Sequence, residues 1–359
     1  MTFLIAAAGT GGHVYPGLSV GEALVDLGID KDEILFVGGD RLEAKVYPEA
    51  GYRFHEVELA GLKRSMTVDN ARIPTVVMRA RRSLIAIMGD EGVDVALGMG
   101  GYVTLPVALA ARSCRVPFYN AEQNAEAGLA NKMTARWARA SFVAFPRTGG
   151  IPRGKWVGNP VRRAFWEFDR TRLRPAALAH FDLDPDAPVV GVFGGSLGSA
   201  PINHAVAEMV SSWTGPPLQV VHLTGASHLE EMAGRDSASG VSWRRVGFEE
   251  NMELFFAVSD LVIARAGGAV AELTATATPS ILVPGQFGSG GHQSGNARFL
   301  AESGAAIVVE QEELSRLPEV VSDLLGDQEK LLAMATASRA IAKPDAARTI
   351  ANTMIEAAR

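Results

Sequence analysis

The residue best suited to move a proton is His13, which closes the run Gly9-Thr10-Gly11-Gly12-His13 between an apolar stretch, Phe3 to Ala8, and a helix expected to open near Pro16. An imidazole near its ordinary pKa serves as a general base at neutral pH; the plainer alternative is a loop histidine making only local hydrogen bonds. The glycines let the backbone approach a ligand closely, and a helix start behind them favours an anion. No glycine falls three residues after Gly11, so this is not the dinucleotide fingerprint. Gly98-Met99-Gly100-Gly101-Tyr102, with Pro106 placed to open the next helix, repeats the arrangement. Two such loops and His13 suggest that the N-terminal half holds a phosphorylated acceptor, against the alternative that the glycines serve only tight turns.

Gly194-Gly195-Ser196-Leu197-Gly198 matches GxSxG, the strained turn of a nucleophile elbow, for which Asp260 and His292 could complete a triad. It is also one of four similar glycine turns, and an elbow explains none of the others. Ser196 and its neighbouring amides are therefore preferred as phosphate donors. In Arg265 to Glu272 the amides around Gly267 and Gly268 could cradle a diphosphate, while Glu272 could accept two ribose hydroxyls. Arg162 could neutralise phosphate or be a surface arginine. In Gly288-Ser289-Gly290-Gly291-His292-Gln293, Gln293 could hydrogen-bond sugar hydroxyls or belong to a flexible loop. Asp182-Leu183-Asp184-Pro185-Asp186 has the DxD spacing of metal-dependent sugar transferases, but its proline before a strand reads as a turn or cap, and no metal is expected.

The elements that must position these residues follow one recurring unit: an apolar run, a glycine cluster, a helix. The runs are Phe3 to Ala8, Val93 to Leu97, Val189 to Phe193 and Leu261 to Ile263. Apolar strands alternating with helices indicate an α/β protein with parallel sheets covered on both faces. Two copies in each half predict two doubly wound Rossmann-like domains, with ligands at the carboxyl ends of their strands and a cleft between the halves. Gly158-Asn159-Pro160 marks the boundary, giving domains over 1–160 and 161–359, with a last helix after Pro344 that can pack back on the N-terminal domain.

With 359 residues, 47% hydrophobic and 21% charged, the chain is neither disordered nor fibrous and is long enough for two cores. A single cysteine, Cys114, excludes an internal disulfide and a Cys-based zinc site. The net charge of −6 argues against nucleic acid as partner. Residues 1–160 hold 18 basic and 16 acidic residues, or +2, leaving 16 and 24, or −8, for the rest, so the first half suits an acidic ligand better. The N-terminus lacks a basic region and reads as a strand, and neither uncharged stretch reads as a membrane-spanning segment.

The order GTGGH, GMGGY, AEQN (Ala121 to Asn124), GNPVR (Gly158 to Arg162), GGSLG, RAGGAVAE and HQSGNA resembles the MurG family of bacterial glycosyltransferases over nearly the whole chain. The resemblance implies a GT-B fold, UDP-N-acetylglucosamine as donor, and lipid I, an undecaprenyl-diphosphoryl-muramoyl-pentapeptide, as acceptor. The product would be lipid II for peptidoglycan synthesis. It implies no cofactor or metal, an inverting attack by the acceptor's C4 hydroxyl, and His13 as base. Thr10, Gly11, Gly12, Asn124, Arg162, Ser196 and Gln293 would contact donor sugar or phosphates, Gly267 and Gly268 the diphosphate, Glu272 the ribose, and the backbone at Glu249 the uracil. Gly100, Gly101 and Tyr102 would lie on the acceptor side.

Three departures stand out: Ala121 where the family usually has histidine, Leu197 where glutamine is commoner, and a loop from Arg265 to Glu272 one residue shorter and without the family's threonine. A lipid acceptor implies a cytoplasmic protein peripheral on the inner face of the membrane, with wall-synthesis and division proteins as possible partners. Lys63, Arg64, Arg72, Arg79, Arg81 and Arg82 against Asp69 give a local +5, beside an apolar stripe of Ile73, Val77, Leu84 and Met88. Such a segment could lie on an anionic bilayer or pack as an ordinary helix with a solvated basic face. A paralogue using the same donor on a soluble acceptor, and a sugar-nucleotide binder without turnover, are the competing readings.

Overall fold

The computed structural model describes residues 1–58, 73–285 and 291–359 and divides into two compact units. The first comprises Met1–Arg163 with Pro344–Arg359, the second Ala164–Lys343. In the first unit β1 (Thr2–Ala6), α1 (Gly11–Asp26), β2 (Ile34–Gly38), α2 (Leu42–Glu49), β3 (Arg53–Glu56), α3 (Ile73–Asp90), β4 (Val93–Gly98), α4 (Thr104–Cys114), β5 (Phe118–Glu122), α5 (Leu129–Thr134), β6 (Ser141–Val143) and β7 (Lys155–Trp156) follow one another. The second runs α6 (Arg170–Phe181), β8 (Val189–Phe193), α7 (Ala200–Ser211), β9 (Leu218–Leu223), α8 (Leu229–Ala233), β10 (Val241–Val246), α9 (Met252–Val258), β11 (Leu261–Ala264), α10 (Ala269–Ala275), β12 (Ser280–Leu282), α11 (His292–Glu302), β13 (Ala306–Val308), α12 (Leu317–Leu325) and α13 (Gln328–Ile341). The last helix, α14 (Ala346–Ala358), returns to the first unit.

Each unit is built on a wholly parallel sheet. The orders are β3-β2-β1-β4-β5-β6-β7 and β10-β9-β8-β11-β12-β13, so both wind outward from a central strand, reverse, and continue on its other side. Strands β2 and β8 are apolar and buried at every position because helices cover both faces. The order reverses between β1 and β4 and again between β8 and β11, where Ala6 pairs with Gly98 and Phe193 with Ala264. At such a reversal two neighbouring strands end together and their chains leave in opposite directions, which opens a crevice at the carboxyl edge. All four glycine turns anticipated from sequence fall at these two reversals.

Three local features differ from the expected ones. Helix α1 begins at Gly11, because the amides of His13 and Val14 both bond to Thr10 O, at 2.9 and 3.1 Å. Pro16 therefore lies buried inside the helix instead of opening it. In α3, Val77, Leu84 and Met88 are buried in the core of the first unit, so they are not a membrane-facing stripe. Arg79 and Arg82 do face outward, whereas Arg81 donates to Ser113 Oγ; Lys63, Arg64, Asp69, Arg72 and the Ile73 side chain lie outside the described residues. Finally, the unit boundary falls after Arg163 and not at 160, while residues 344–359 join the first unit, as the sequence reading of the last helix allowed.

Helix α14 packs on α1, β1 and β4, burying Ile350, Ala351 and Met354 completely. The end of the chain thus completes the core of its beginning. Ile350→Ala is expected to cost about 2–5 kcal/mol, as for other buried aliphatic truncations. The loss should fall on the first unit, read by hydrogen exchange as faster opening of β1 and β4 with β8 and β11 unchanged.

Candidate functional site

In the first unit the turns after β1 and β4 touch. His13 leans on Gly100: a Cβ there would lie 2.7 Å from His13 Cδ2 and 2.9 Å from Nε2, and Gly100 has φ +97°, a conformation that side chains disfavour. Gly101, at φ +75°, approaches so closely that its Cβ would lie 2.4 Å from Ala8 O. His13 Nδ1 lies 3.3 Å from Thr10 Oγ1. With Nδ1–H donated to that hydroxyl, Nε2 carries the lone pair, the tautomer of a general base.

Three carboxyl and amide groups hold this edge together. Glu43, in the first turn of α2, is fully buried and accepts from the Gly9 amide (3.1 Å), the Gly39 amide (3.0 Å) and the Tyr102 hydroxyl (3.4 Å). Burial, followed by the field of Glu43, pushes the Tyr102 phenol up to about 12, so it stays a donor. Glu122, at the end of β5, accepts from the Asn124 amide and side chain (3.0 and 3.1 Å), the Gly128 amide (2.9 Å) and Asn131 Nδ2 (2.9 Å). Asn131 also donates to Ala121 O at 2.9 Å and lies 3.4 Å from the position of a Gly100 Cβ, so the β5 end adjoins the His13 turn.

In the second unit the turn after β8 places Ser196 at an exposed tip and Ser199 at the buried start of α7. Arg265 ties that turn to its neighbours, donating from Nε to Ser199 Oγ (3.1 Å), from Nη1 to Val283 O (3.2 Å) and from Nη2 to Gln311 Oε1 (2.7 Å). Desolvation lowers its pKa from the usual arginine range. Asn296 donates to Ala266 O at 2.9 Å, fixing the start of the loop that carries Gly267 and Gly268 into α10, where Glu272 sits in the first turn. Gln293 Oε1 accepts from the Gly285 amide at 2.7 Å, which leaves its NH₂ group for other acceptors. Residues 288–290 lie outside the described residues.

Glu249 follows β10, where its carboxylate accepts from the Asn251 amide at 2.8 Å and meets His180 Nε2 at 2.9 Å. Burial acts to raise its pKa, but these hydrogen bonds outweigh it and hold the carboxyl below its ordinary value. Behind the Ser196 turn, Asn203 bridges Thr224 O (2.8 Å) and His222 Nε2 (3.0 Å), while Gly198 packs so tightly that a Cβ would lie 2.0 Å from Thr224 O.

The candidate residues therefore separate by unit. Thr10, Gly11, Gly12, His13, Gly100, Gly101, Tyr102, Asn124 and Arg162 belong to the first; Ser196, Glu249, Gly267, Gly268, Glu272 and Gln293 to the second. Arg162 was expected in the C-terminal domain and instead belongs to the first unit, since the boundary lies one residue beyond it. The elbow reading fails on geometry. Asp260 receives both terminal nitrogens of Arg174 (3.0 and 3.2 Å) and the Val189 amide (2.9 Å), at the amino edge of the sheet, opposite Ser196. The DxD sequence is a turn, with Asp182 closing α6 at φ 53° and Asp184 Oδ1 accepting the Asp186 amide at 2.9 Å. Sequence reasoning missed Glu43, Arg265 and Asn296, which hold loops and do not form them; the one available signal for Glu43 was the extra glycine pair, Gly38-Gly39, at the end of β2.

The glycosyltransferase family 28 N-terminal domain matches residues 3–143, and the C-terminal domain of the same family matches residues 189–350. A UDP-N-acetylglucosamine–N-acetylmuramyl-(pentapeptide) pyrophosphoryl-undecaprenol N-acetylglucosamine transferase from Mycobacterium sp. (strain JLS) is 39% identical, over 100% of this chain and 96% of that protein. A protein of the same name from Salinibacter ruber is 38% identical, over 98% and 95%. The crystal structure of Acinetobacter baumannii MurG superposes with a TM-score of 0.79 at 26% identity, covering 99% of this chain and all of that one.

His222 gives the second unit a pH dependence. Burial, aided by Arg245, pushes its imidazole down to about 3 from 6.5, so the folded chain keeps it neutral while the unfolded chain protonates it. Its stabilising effect is complete above pH 6.5 and is lost on acidification below that value, by about 1.4 kcal/mol per pH unit. Denaturant unfolding of the second unit at pH 7.5, 6 and 5 should show this slope, and His222→Gln should flatten it. A variant with the wild-type slope would remove His222 as its source.

Proposed function

The chain belongs to glycosyltransferase family 28, and on that basis we propose that it transfers N-acetylglucosamine from UDP-N-acetylglucosamine to the C4 hydroxyl of the muramoyl sugar of lipid I, giving lipid II for peptidoglycan synthesis. The fold is GT-B, and the protein is a hexosyltransferase. The observation that carries the assignment is similarity over the full length of both chains to relatives bearing that activity in their names.

The roles of individual residues extend this reading. The acceptor hydroxyl gives its proton to His13 Nε2 as its oxygen attacks the anomeric carbon; the bond from that carbon to the diphosphate oxygen breaks, and UDP leaves with the electron pair. Attack opposite the leaving group inverts the centre and gives a β-1,4 linkage. His13 suits this role because Thr10 orients Nδ1 and Gly100 leaves room for the ring. Gly100, Gly101 and Tyr102 line the acceptor side, and Thr10, Gly11, Gly12, Asn124 and Arg162 reach the donor's sugar and phosphates. From the second unit, Ser196, Gly267 and Gly268 supply donors to the diphosphate, Gln293 its NH₂ to the sugar, Glu272 its carboxylate to the ribose, and the Glu249 backbone the uracil contact. Charge developing on the leaving diphosphate is stabilised by these fixed donors, with no metal needed.

A lipid-linked acceptor requires attachment at the membrane surface. Among the described residues no helix is long and apolar enough to cross a membrane. The outward arginines Arg79 and Arg82, with the exposed Met78, are the part of the basic segment that can meet anionic lipid headgroups on the cytoplasmic face. Wall-synthesis and division proteins would be neighbours there. Ala121, replacing a usual histidine, favours one alternative, the same donor used on a soluble muramoyl acceptor.

A UDP-release assay with a short-chain lipid I analogue and a matched soluble acceptor separates the two. Release that depends on the lipid-linked diphosphate is expected; donor binding without release on lipid I would overturn the reading. In the same assay His13→Ala should lower kcat by about 10²–10⁴-fold with donor affinity retained. Glu272→Ala should weaken donor binding about tenfold, the loss of one charge-assisted pair of hydrogen bonds; unchanged affinity would show that the shortened loop has moved the ribose site.

A further inference from the structure

We infer that Glu43 is a positioning residue for the transfer, a buried carboxylate that holds the His13 turn and the Gly100–Tyr102 turn in register. The inference rests on the reading above, in which the first unit takes the acceptor and His13 its proton.

The Glu43 side chain hydrogen-bonds to both turns. Oε2 accepts the Gly9 amide at 3.1 Å, at the root of the first turn, and Oε1 accepts the Tyr102 hydroxyl at 3.4 Å, at the end of the second. The remaining bond, from the Gly39 amide to Oε1 at 3.0 Å, fixes the carboxylate to the end of β2. On the far side the two turns meet again where His13 lies against Gly100. The contacts form a closed circuit: Glu43, Gly9, His13, Gly100, Tyr102 and back to Glu43. Loosening one link frees the imidazole to swing relative to Gly100 without removing any group that touches a substrate.

The chemistry of the link explains why a carboxyl group suits it. Two amides and a phenol converge on two oxygens, so every partner is a donor, and a carboxylate accepts with both oxygens where a carboxamide accepts with one. Glu43 is fully buried, and no cation pairs with it among the described residues. Its oxygens are therefore met by these oriented donors, an arrangement that tolerates little displacement. Space is equally constrained: a Cβ at Gly39 would lie 2.7 Å from Tyr102 Oη and 3.3 Å from Glu43 Oε1.

The test uses the full-length protein. Glu43→Gln keeps the shape but turns one acceptor into a donor facing an amide, and Gly39→Ala keeps the carboxylate but wedges it from Tyr102. Steady-state UDP release with the lipid I analogue is measured per folded molecule, with donor affinity from calorimetric titration of UDP-N-acetylglucosamine and amide exchange of residues 9–13. We expect kcat to fall about 10- to 100-fold for Glu43→Gln and less for Gly39→Ala, donor affinity to fall by a smaller factor than kcat because residues 10–12 share the loosened turn, and exchange at residues 9–13 to accelerate about tenfold in both. The double variant should be no worse than Glu43→Gln alone, because both act on one link. Glu43→Asp, too short to reach both turns, should not restore kcat. A kcat per folded molecule within twofold of wild type in both single variants would overturn the inference, as would unchanged exchange at residues 9–13. If wild type releases no UDP with either acceptor, the assigned reaction fails instead, and the exchange measurement still decides whether Glu43 holds the turn.

Discussion

The reversal of strand order beside β1 and β8 is the constraint on which the rest of the molecule depends. A strand that continues to its neighbour hands the chain over the top of the sheet, and that connection covers the carboxyl edge. At the reversal the chains from two adjacent strands depart to opposite faces, so nothing covers the edge between them. Backbone amides at the strand ends and helix starts are left facing that gap. The glycines at 100 and 101 follow from the same geometry, because turns this close to one another leave no space for a Cβ.

A gap lined with amides is also a source of disorder unless something holds its walls. The two units solve this with charges of opposite sign. In the first, the turn presents donors inward, and the buried carboxylate of Glu43 gathers them. In the second, the guanidinium of Arg265 gathers acceptors, a hydroxyl, a carbonyl and a side-chain amide, from three segments. Both groups make three hydrogen bonds each with the protein, so each holds loop segments together. Arg265 illustrates why residue type alone misleads: an arginine beside a glycine loop suggests a phosphate ligand, yet three of its five N–H donors already serve the fold.

The sheets, both reversals and the four glycine turns were legible because parallel strands buried on two faces must be continuously apolar and their turns rich in glycine. The positioning residues were not. Glu43 lies in an unremarkable helix start between two strands, and what makes it a link is that residues 9, 39 and 102 converge there, a relation no local pattern encodes. The apolar stripe of α3 was legible over Val77, Leu84 and Met88, but periodicity does not say whether it faces lipid or core, and these three side chains are buried in the protein. Pro16 misled for a related reason: proline marks a helix start only by statistics, whereas here the Thr10 carbonyl captures two amides and starts the helix five residues before it.

The departures from the family pattern can be weighed by which atoms the structure uses. At Ala121 the group engaged is the main-chain carbonyl, which accepts from Asn131 Nδ2 and Gln123 Nε2 at 2.9 and 3.1 Å. Losing an imidazole there leaves that framework unaltered, and Glu122 still gathers Asn124, Gly128 and Asn131. The shortened loop is similarly buttressed, since Asn296 holds Ala266 O and Arg265 holds the adjoining turn, whatever the loop's length beyond them. Both changes thus fall on side chains or loop length, while the contacts that set backbone position persist. The proposed transfer, which would depend on oriented amides and one imidazole, should tolerate the first kind of change far better than the loss of a residue such as Glu43, whose removal leaves buried donors without an acceptor.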